Sequence, residues 1–221
     1  MIESGNAAVE LDRCSVRFGR NVVLDHVSLH LPAGTVLGIS GDNGVGKSTL
    51  LRLIAGLVRP RSGTISVLGG LPSSDVVRSQ IGAAIDTPVF YSWMSGEGFL
   101  RTQMDMAGRK DEGQSRAALE RFDLGAAGRK RIVRYSQGMK KRLALAAASL
   151  RHPSLLLLDE PTNALDPGGR SIFYKWLAEE KLRGVSAVVV SHRSADEECC
   201  DSVMELTEAG LEVRSGLARE P

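Results

Sequence analysis

Eight consecutive residues, Gly41-Asp42-Asn43-Gly44-Val45-Gly46-Lys47-Ser48, fit the pattern G-x-x-x-x-G-K-[ST] at each fixed position. The glycines permit a tight curl whose backbone N–H groups point inward, a concavity that suits phosphate oxygens. A helix starting near Lys47 would aim its positive end at the same place. Lys47 adds a point charge for the β- and γ-phosphates. The Ser48 hydroxyl is an oxygen ligand of the kind Mg²⁺ takes in such loops, and Thr49 follows it. A second cluster lies far along the chain. Leu155–Leu158 read as a buried strand that carries Asp159 and Glu160 to its C-terminal end. Ligands of open α/β sheets sit at that end. Asp159 is placed to hold Mg²⁺, and Glu160 to act as general base on an attacking water.

Positioning these groups needs strands that end together. Thr35–Ser40 is a short apolar stretch that runs straight into the glycine loop, and Leu50, Leu51, Ile54 and Leu57 recur after it at helical spacing. Strand, glycine-rich loop and helix in that order are the mark of a parallel α/β fold. Val27, Leu29 and Leu31 alternate with Ser28 and His30, as in a half-buried strand. From Trp93 to Leu150 helical patterns dominate: Phe99, Leu100 and Met104, then Leu119 and Phe122. Strands return at Leu155–Leu158 and Val185–Val190, separated by a helix with Ile172, Phe173, Trp176 and Leu177 on one side. Val203–Leu206, a turn at Gly210 and Leu211–Arg214 form a closing hairpin. The expected fold is α/β: a mostly parallel sheet, an antiparallel β part and a helical insertion.

Composition agrees. In 221 residues, 43% are apolar and 24% charged, which suits one globular domain and excludes a disordered or disulfide-stapled chain. Twenty-eight basic residues against 26 acidic leave a net charge of +2, so no global field calls for nucleic acid. Residues 109–142 hold eleven basic residues against four acidic, a local surplus read as a solvated helical face. No apolar stretch approaches the roughly 20 residues of a bilayer span, and the first residues carry no signal-peptide pattern. Cys14, Cys199 and Cys200 are too few for a disulfide framework and suggest a reducing compartment, with the last two as ordinary thiols on a late helix.

Tyr135-Ser136-Gln137-Gly138-Met139 opens a helix running from Lys140 to Leu150, and here a resemblance emerges. The chain resembles the ATP-binding subunits of ATP-binding-cassette (ABC) transporters, whose signature reads Leu-Ser-Gly-Gly-Gln. Ser136 and Gly138 match it; Tyr135, Gln137 and Met139 differ. A short hydroxyl and a bare backbone at a helix start make a second anion site. The resemblance implies that Tyr135–Met139 meet the ATP held by a partner cassette's phosphate loop, so that ATP joins two cassettes, alike or different. It implies ATP and Mg²⁺ as ligands, with Gly41–Thr49 holding the phosphates and Phe18 stacking on adenine. A core role is the competing reading of Phe18. The resemblance further makes Asp166, in Asn163-Ala164-Leu165-Asp166, part of a loop crossing to the second cassette. His192 becomes the histidine that contacts the γ-phosphate, so Lys47, Glu160 and His192 form the catalytic set. The family's usual glutamine falls on Asp86, a shorter anion that can ligate Mg²⁺ or orient water but cannot donate when ionised.

One domain over 1–221 is expected, with its core at 1–86 and 151–221 and a helical subdomain at 87–150. The stretch Asp86–Tyr91 and the sequence Tyr135-Ser-Gln-Gly-Met-Lys-Lys-Arg-Leu143 look like cassettes of bacitracin- and lantibiotic-type peptide exporters. Implied partners are transmembrane permease subunits on separate chains and a second cassette, with no nucleic acid. The implied place is cytoplasmic, on the inner face of the cell membrane. An importer cassette, or a soluble cassette acting on ribosomes or nucleic acid, remains an alternative.

Overall fold

The computed structural model describes residues 7–85, 90–111 and 113–213. Strands β1 (Ala7–Phe18), β2 (Asn21–Pro32) and β4 (Ser62–Val67) form an antiparallel sheet in the order β2-β1-β4. The second sheet holds β3 (Val36–Ser40), β5 (Ile81–Ala84), β6 (Leu155–Asp159), β7 (Ser186–Val190), β8 (Ser202–Thr207) and β9 (Gly210–Val213). Its order is β5-β6-β7-β3-β8-β9, parallel except for the closing β8–β9 hairpin. The mostly parallel sheet with a separate antiparallel one is the expected α/β architecture.

Helix α1 (Lys47–Ile54) follows β3, and the short α2 (Asp75–Ser79) precedes β5. The helical stretch holds α3 (Gly96–Met106), α4 (Gln114–Arg121) and α5 (Gln137–Ser149). Helix α6 (Pro167–Leu182) and the four-residue α7 (Ser194–Glu197) follow.

Strand β6 shows why the leucine run is uninterrupted. Side chains alternate across a strand, and both faces of this sheet are covered. Leu156 and Leu158 face one core with α3–α6. Leu155 and Leu157 face the other, with α1 and the antiparallel sheet. All four leucines are fully buried. Register then aligns the strand ends: Asp159 lies beside Val190, and Val190 beside Ile39. The loops after β3, β6 and β7 therefore leave the sheet along one edge, where the chemical groups collect.

Two local expectations are corrected. Leu57 does not extend the apolar face of α1; the helix stops at Ile54 and Leu57 is exposed. Gly56 ends it at φ 68°, with a Cβ there falling 2.3 Å from the Pro72 carbonyl oxygen. Cys199 and Cys200 lie just past α7, not on a helix. They are free thiols; burial, the largest cause, raises both, Cys200 to about 12, so neither is a ready thiolate.

Candidate functional site

The loop after β3 has the backbone the motif calls for. Gly41 sits at φ 135°, and a Cβ on it would lie 2.3 Å from the Leu206 carbonyl oxygen. Gly46 sits at φ 117°, packed so close to Leu24 and the Val23 carbonyl that a Cβ would fall 2.9 Å from each. Only glycine tolerates these positions. Gly46 is also the N-cap of α1, with no side chain capping the helix and no acid in its first turn. The free N–H groups of that turn are a ready anion site. Lys47 is buried, and its Nζ donates to the carbonyls of Gly41 at 2.7 Å and Asp42 at 2.8 Å. The ammonium thus closes the mouth of the curl from within. Burial lowers its pKa, while the carboxylates of Glu160, Asp159 and Asp42 oppose that shift.

The carboxylates arrive from β6. The Ser48 hydroxyl donates to Asp159 Oδ2 at 2.6 Å, bringing together residues 111 positions apart in the sequence. Lys141 of α5 donates its Nζ to the Asp159 carbonyl at 2.7 Å. Glu160 turns off the strand at φ 45°, a conformation uncommon for a residue with a side chain, and its N–H donates to the Val190 carbonyl at 2.9 Å. The turn aims the carboxyl into the cleft. Its Oε1 is buried without a hydrogen-bond partner and lies 3.5 Å from His192 Nε2. Burial pushes the Glu160 carboxyl up; Asp159 and Asp196 add to this, and His192 and Lys47 pull it down. An acceptor held partly desolvated and unpartnered is suited to take a proton from water.

Two clefts meet at Ser48, Asp159 and Glu160. One, about 240 Å³, is also walled by Asn43, Gly44, Lys47 and His192. The other, about 410 Å³, reaches Gln137 and Lys141 on α5 and Asn163 and Ala164 beyond β6. The signature string divides at this point. Ser136 is the N-cap of α5, its Oγ accepting from Met139 N at 3.2 Å; Ser136 and Gln137 are exposed and Gly138 is half-buried. Tyr135 instead belongs to the core: its hydroxyl donates to the Ala127 carbonyl at 2.8 Å and its ring covers Gly96. Met139 packs on the same core. Neither reaches the cleft.

Phe18 ends β1 beside the Gly19 turn and is 50% exposed, so the core reading fails and its ring is open to a ligand. Asp166 caps α6, accepting from Gly169 N at 2.9 Å. Asp86 lies outside the described residues.

The sequence of residues 24–163 matches the family described as ABC transporter. The chain belongs to the ABC transporter family. It is 34% identical over 187 residues to the bacitracin transport ATP-binding protein BcrA of Enterococcus faecalis, an alignment spanning 83% of this chain and 61% of that protein. It is 33% identical over 175 residues to the lantibiotic transport ATP-binding protein SrtF of Streptococcus pyogenes, spanning 79% of this chain and 76% of that one. A solved structure titled as the ATP binding subunit of an ABC transporter superposes with a TM-score of 0.86 at 28% identity, covering 95% of this chain and 90% of its own. The cassette spans about three-fifths of the length of the first curated relatives it matches, 62%, 61% and 61%.

Sequence reasoning passed over four residues in and behind this candidate site. Lys141 reaches Asp159 from another layer. Thr162 and Ser191 share the buried Asp196 carboxylate. Lys141 stood in the Tyr135–Leu143 string, one helical turn after Gln137, with nothing local to tie it to Asp159.

Proposed function

We propose that this cassette is the ATP-hydrolysing subunit of a membrane exporter, acting in pairs and driving separate permease subunits that carry a peptide antibiotic, drug or similar amphipathic molecule. The observation that carries this reading is the single cleft uniting the uncapped start of α1, Lys47, the Ser48–Asp159 pair and the Glu160 carboxyl, whose Oε1 has no hydrogen-bond partner.

The triphosphate would enter the curl of Gly41–Thr49 and draw Lys47 away from the Gly41 and Asp42 carbonyls onto the β- and γ-phosphates. Asp42, Asn43, Gly44 and Val45 supply backbone to the curl, and Phe18 offers a face for adenine. Ser48 Oγ and Asp159 Oδ2, 2.6 Å apart, are the hard oxygen donors that Mg²⁺ prefers, so the donor set fits that ion. Bound with nucleotide, Mg²⁺ would offset phosphate charge. Glu160 takes the proton of the attacking water, and His192, beside it, holds a γ-phosphate oxygen. Ser136, Gln137 and Gly138 of a second cassette would close the site from above, with the loop to Asp166 crossing between the two. Catalysis is then positioning and charge stabilisation, completed only when two cassettes meet.

The permease reading rests on the names of BcrA and SrtF and on one surface. Tyr91 and Trp93 are 55% and 68% exposed with ring centroids 5.9 Å apart, and Val133 beside them is 62% exposed. An apolar patch of this kind marks a protein contact. No helix among the described residues is long and apolar enough to cross a membrane. The cassette would therefore sit on the inner face of the cell membrane by way of its permease, as one domain with core 1–86 and 151–221 and helical part 87–150.

The test is recovery of tagged Glu160→Gln cassette from native membranes in mild detergent with ATP. Co-purification of a multi-span membrane protein is the expected result, and its loss in a Tyr91→Asp/Trp93→Asp variant would place the contact. Recovery with ribosomes or nucleic acid and no membrane protein would overturn the transporter reading.

A further inference from the structure

Asp196 on α7 lines neither cleft, yet its carboxylate is 1% exposed. A buried carboxylate is costly unless other groups replace its water. Three hydroxyls do so here. Oδ2 accepts from Thr162 Oγ1 at 2.7 Å and from Ser191 Oγ at 2.6 Å. Oδ1 accepts from the Tyr174 hydroxyl of α6 at 2.6 Å. Burial, and then the bond to Asp196, raise the Tyr174 pKa, so that phenol stays a donor. Ser191 is satisfied on its other side as well, its Oγ accepting from Arg193 N at 3.1 Å.

The donors stand next to the groups that do the chemistry. Thr162 is two residues after Glu160, on the loop that leads to Asp166. Ser191 immediately precedes His192. Glu160 and His192 face each other at 3.5 Å, and Glu160 Oε1 has no hydrogen-bond partner to fix it. Their spacing is set instead from behind, by the Glu160 N–H on the Val190 carbonyl and by the one carboxylate oxygen shared between the two loops. Positive φ at Glu160 and at Ala164 shows that this loop is held in conformations it would not choose alone.

We propose that Asp196 is a positioning residue that clamps the loop of Glu160 to the loop of His192 and passes any shift of residues 162–166 to both. The proposal rests on Glu160 being the base. A cassette arriving at the loop of residues 163–166 would move Thr162, and through the shared carboxylate would move Ser191 and His192 with it. Base and histidine then come into register together, and misalignment costs rate far more than affinity.

The experiment compares Thr162→Val, Ser191→Ala and the double variant of the full chain with Thr162→Ser and Ser191→Thr, which keep the hydroxyls. Steady-state ATP turnover and ATP affinity, by titration with a fluorescent ATP analogue, are read for each. The first two should each lower kcat about tenfold, as loss of a buried hydrogen bond to a charged group does. ATP affinity should stay within about twofold, because the triphosphate cradle is untouched. The double variant should lose little more than the worse single one, since either change opens the same clamp. The hydroxyl-retaining variants should recover most of kcat. Normal kcat in the double variant overturns the proposal. So does a loss found equally in the hydroxyl-retaining variants, or one that lies wholly in ATP affinity. Glu160→Gln run in parallel separates the premises: if it abolishes turnover while the clamp variants keep theirs, the clamp alone fails. If Glu160→Gln itself keeps turnover, the base reading fails and the clamp with it.

Discussion

Replacing Glu160 by Gln should lower ATP turnover by about 10²–10⁴-fold, the range expected when a positioned general base is lost. The amide keeps the size and shape of the carboxyl but cannot accept a proton. Its effect on binding should be small, because in the proposed pose the triphosphate would meet the curl, Lys47 and the Ser48–Asp159 pair rather than Glu160. Stability should not fall either. Burial already strains the anionic form of this carboxyl, and its Oε1 has no partner, so a neutral amide removes a cost. The expected triplet is lost turnover, ATP affinity within a few-fold of the parent, and an equal or higher melting temperature. Turnover within tenfold of the parent would remove Glu160 from its role.

Lys47→Ala should act on the other half of the cycle. Its ammonium is buried at the mouth of the curl and bonded to two backbone carbonyls. Charge-assisted hydrogen bonds to phosphate are each worth about 1.5–3 kcal/mol. Losing one such contact weakens ATP binding by about 10- to 150-fold. Calorimetric titration reads this directly, with hydrolysis falling in step at sub-saturating ATP. The free protein also changes, because the Gly41 and Asp42 carbonyls lose their donor and the curl loses its internal brace. Unchanged ATP affinity would mean that the triphosphate is held elsewhere.

How much of this was legible in the sequence depends on how far each contact reaches along the chain. The glycine curl was legible because its geometry is local: Gly41 and Gly46 adopt backbone angles that other residues resist. The Asp159–Glu160 pair was legible because a leucine run buried on both faces could only be an inner strand. The order of strands in the sheet was not read, and with it the contacts that cross layers. Lys141 meets Asp159 from 18 residues away, and Thr162 meets Asp196 from 34. A motif string also says nothing about which way a side chain points. Ser136 caps α5 and stays open, whereas Tyr135, one residue earlier, turns inward to the Ala127 carbonyl. Phe18 is the opposite case. Its sequence left two readings, a ligand-facing ring and a core ring, and the Gly19 turn at φ 59° leaves it half exposed, against the core one. Leu57 fits the helical period and is still on the surface, because Gly56 ends the helix before it.

The most direct test of the account is the structure of the Glu160→Gln protein crystallised with ATP and Mg²⁺. The account predicts phosphates inside the Gly41–Ser48 curl, Lys47 moved from its carbonyl partners onto the β- and γ-phosphates, and adenine against Phe18. It also predicts Ser136 and Gly138 of a second cassette over the γ-phosphate. A triphosphate bound away from the curl, or Lys47 still on the Gly41 and Asp42 carbonyls at saturating ATP, would contradict it.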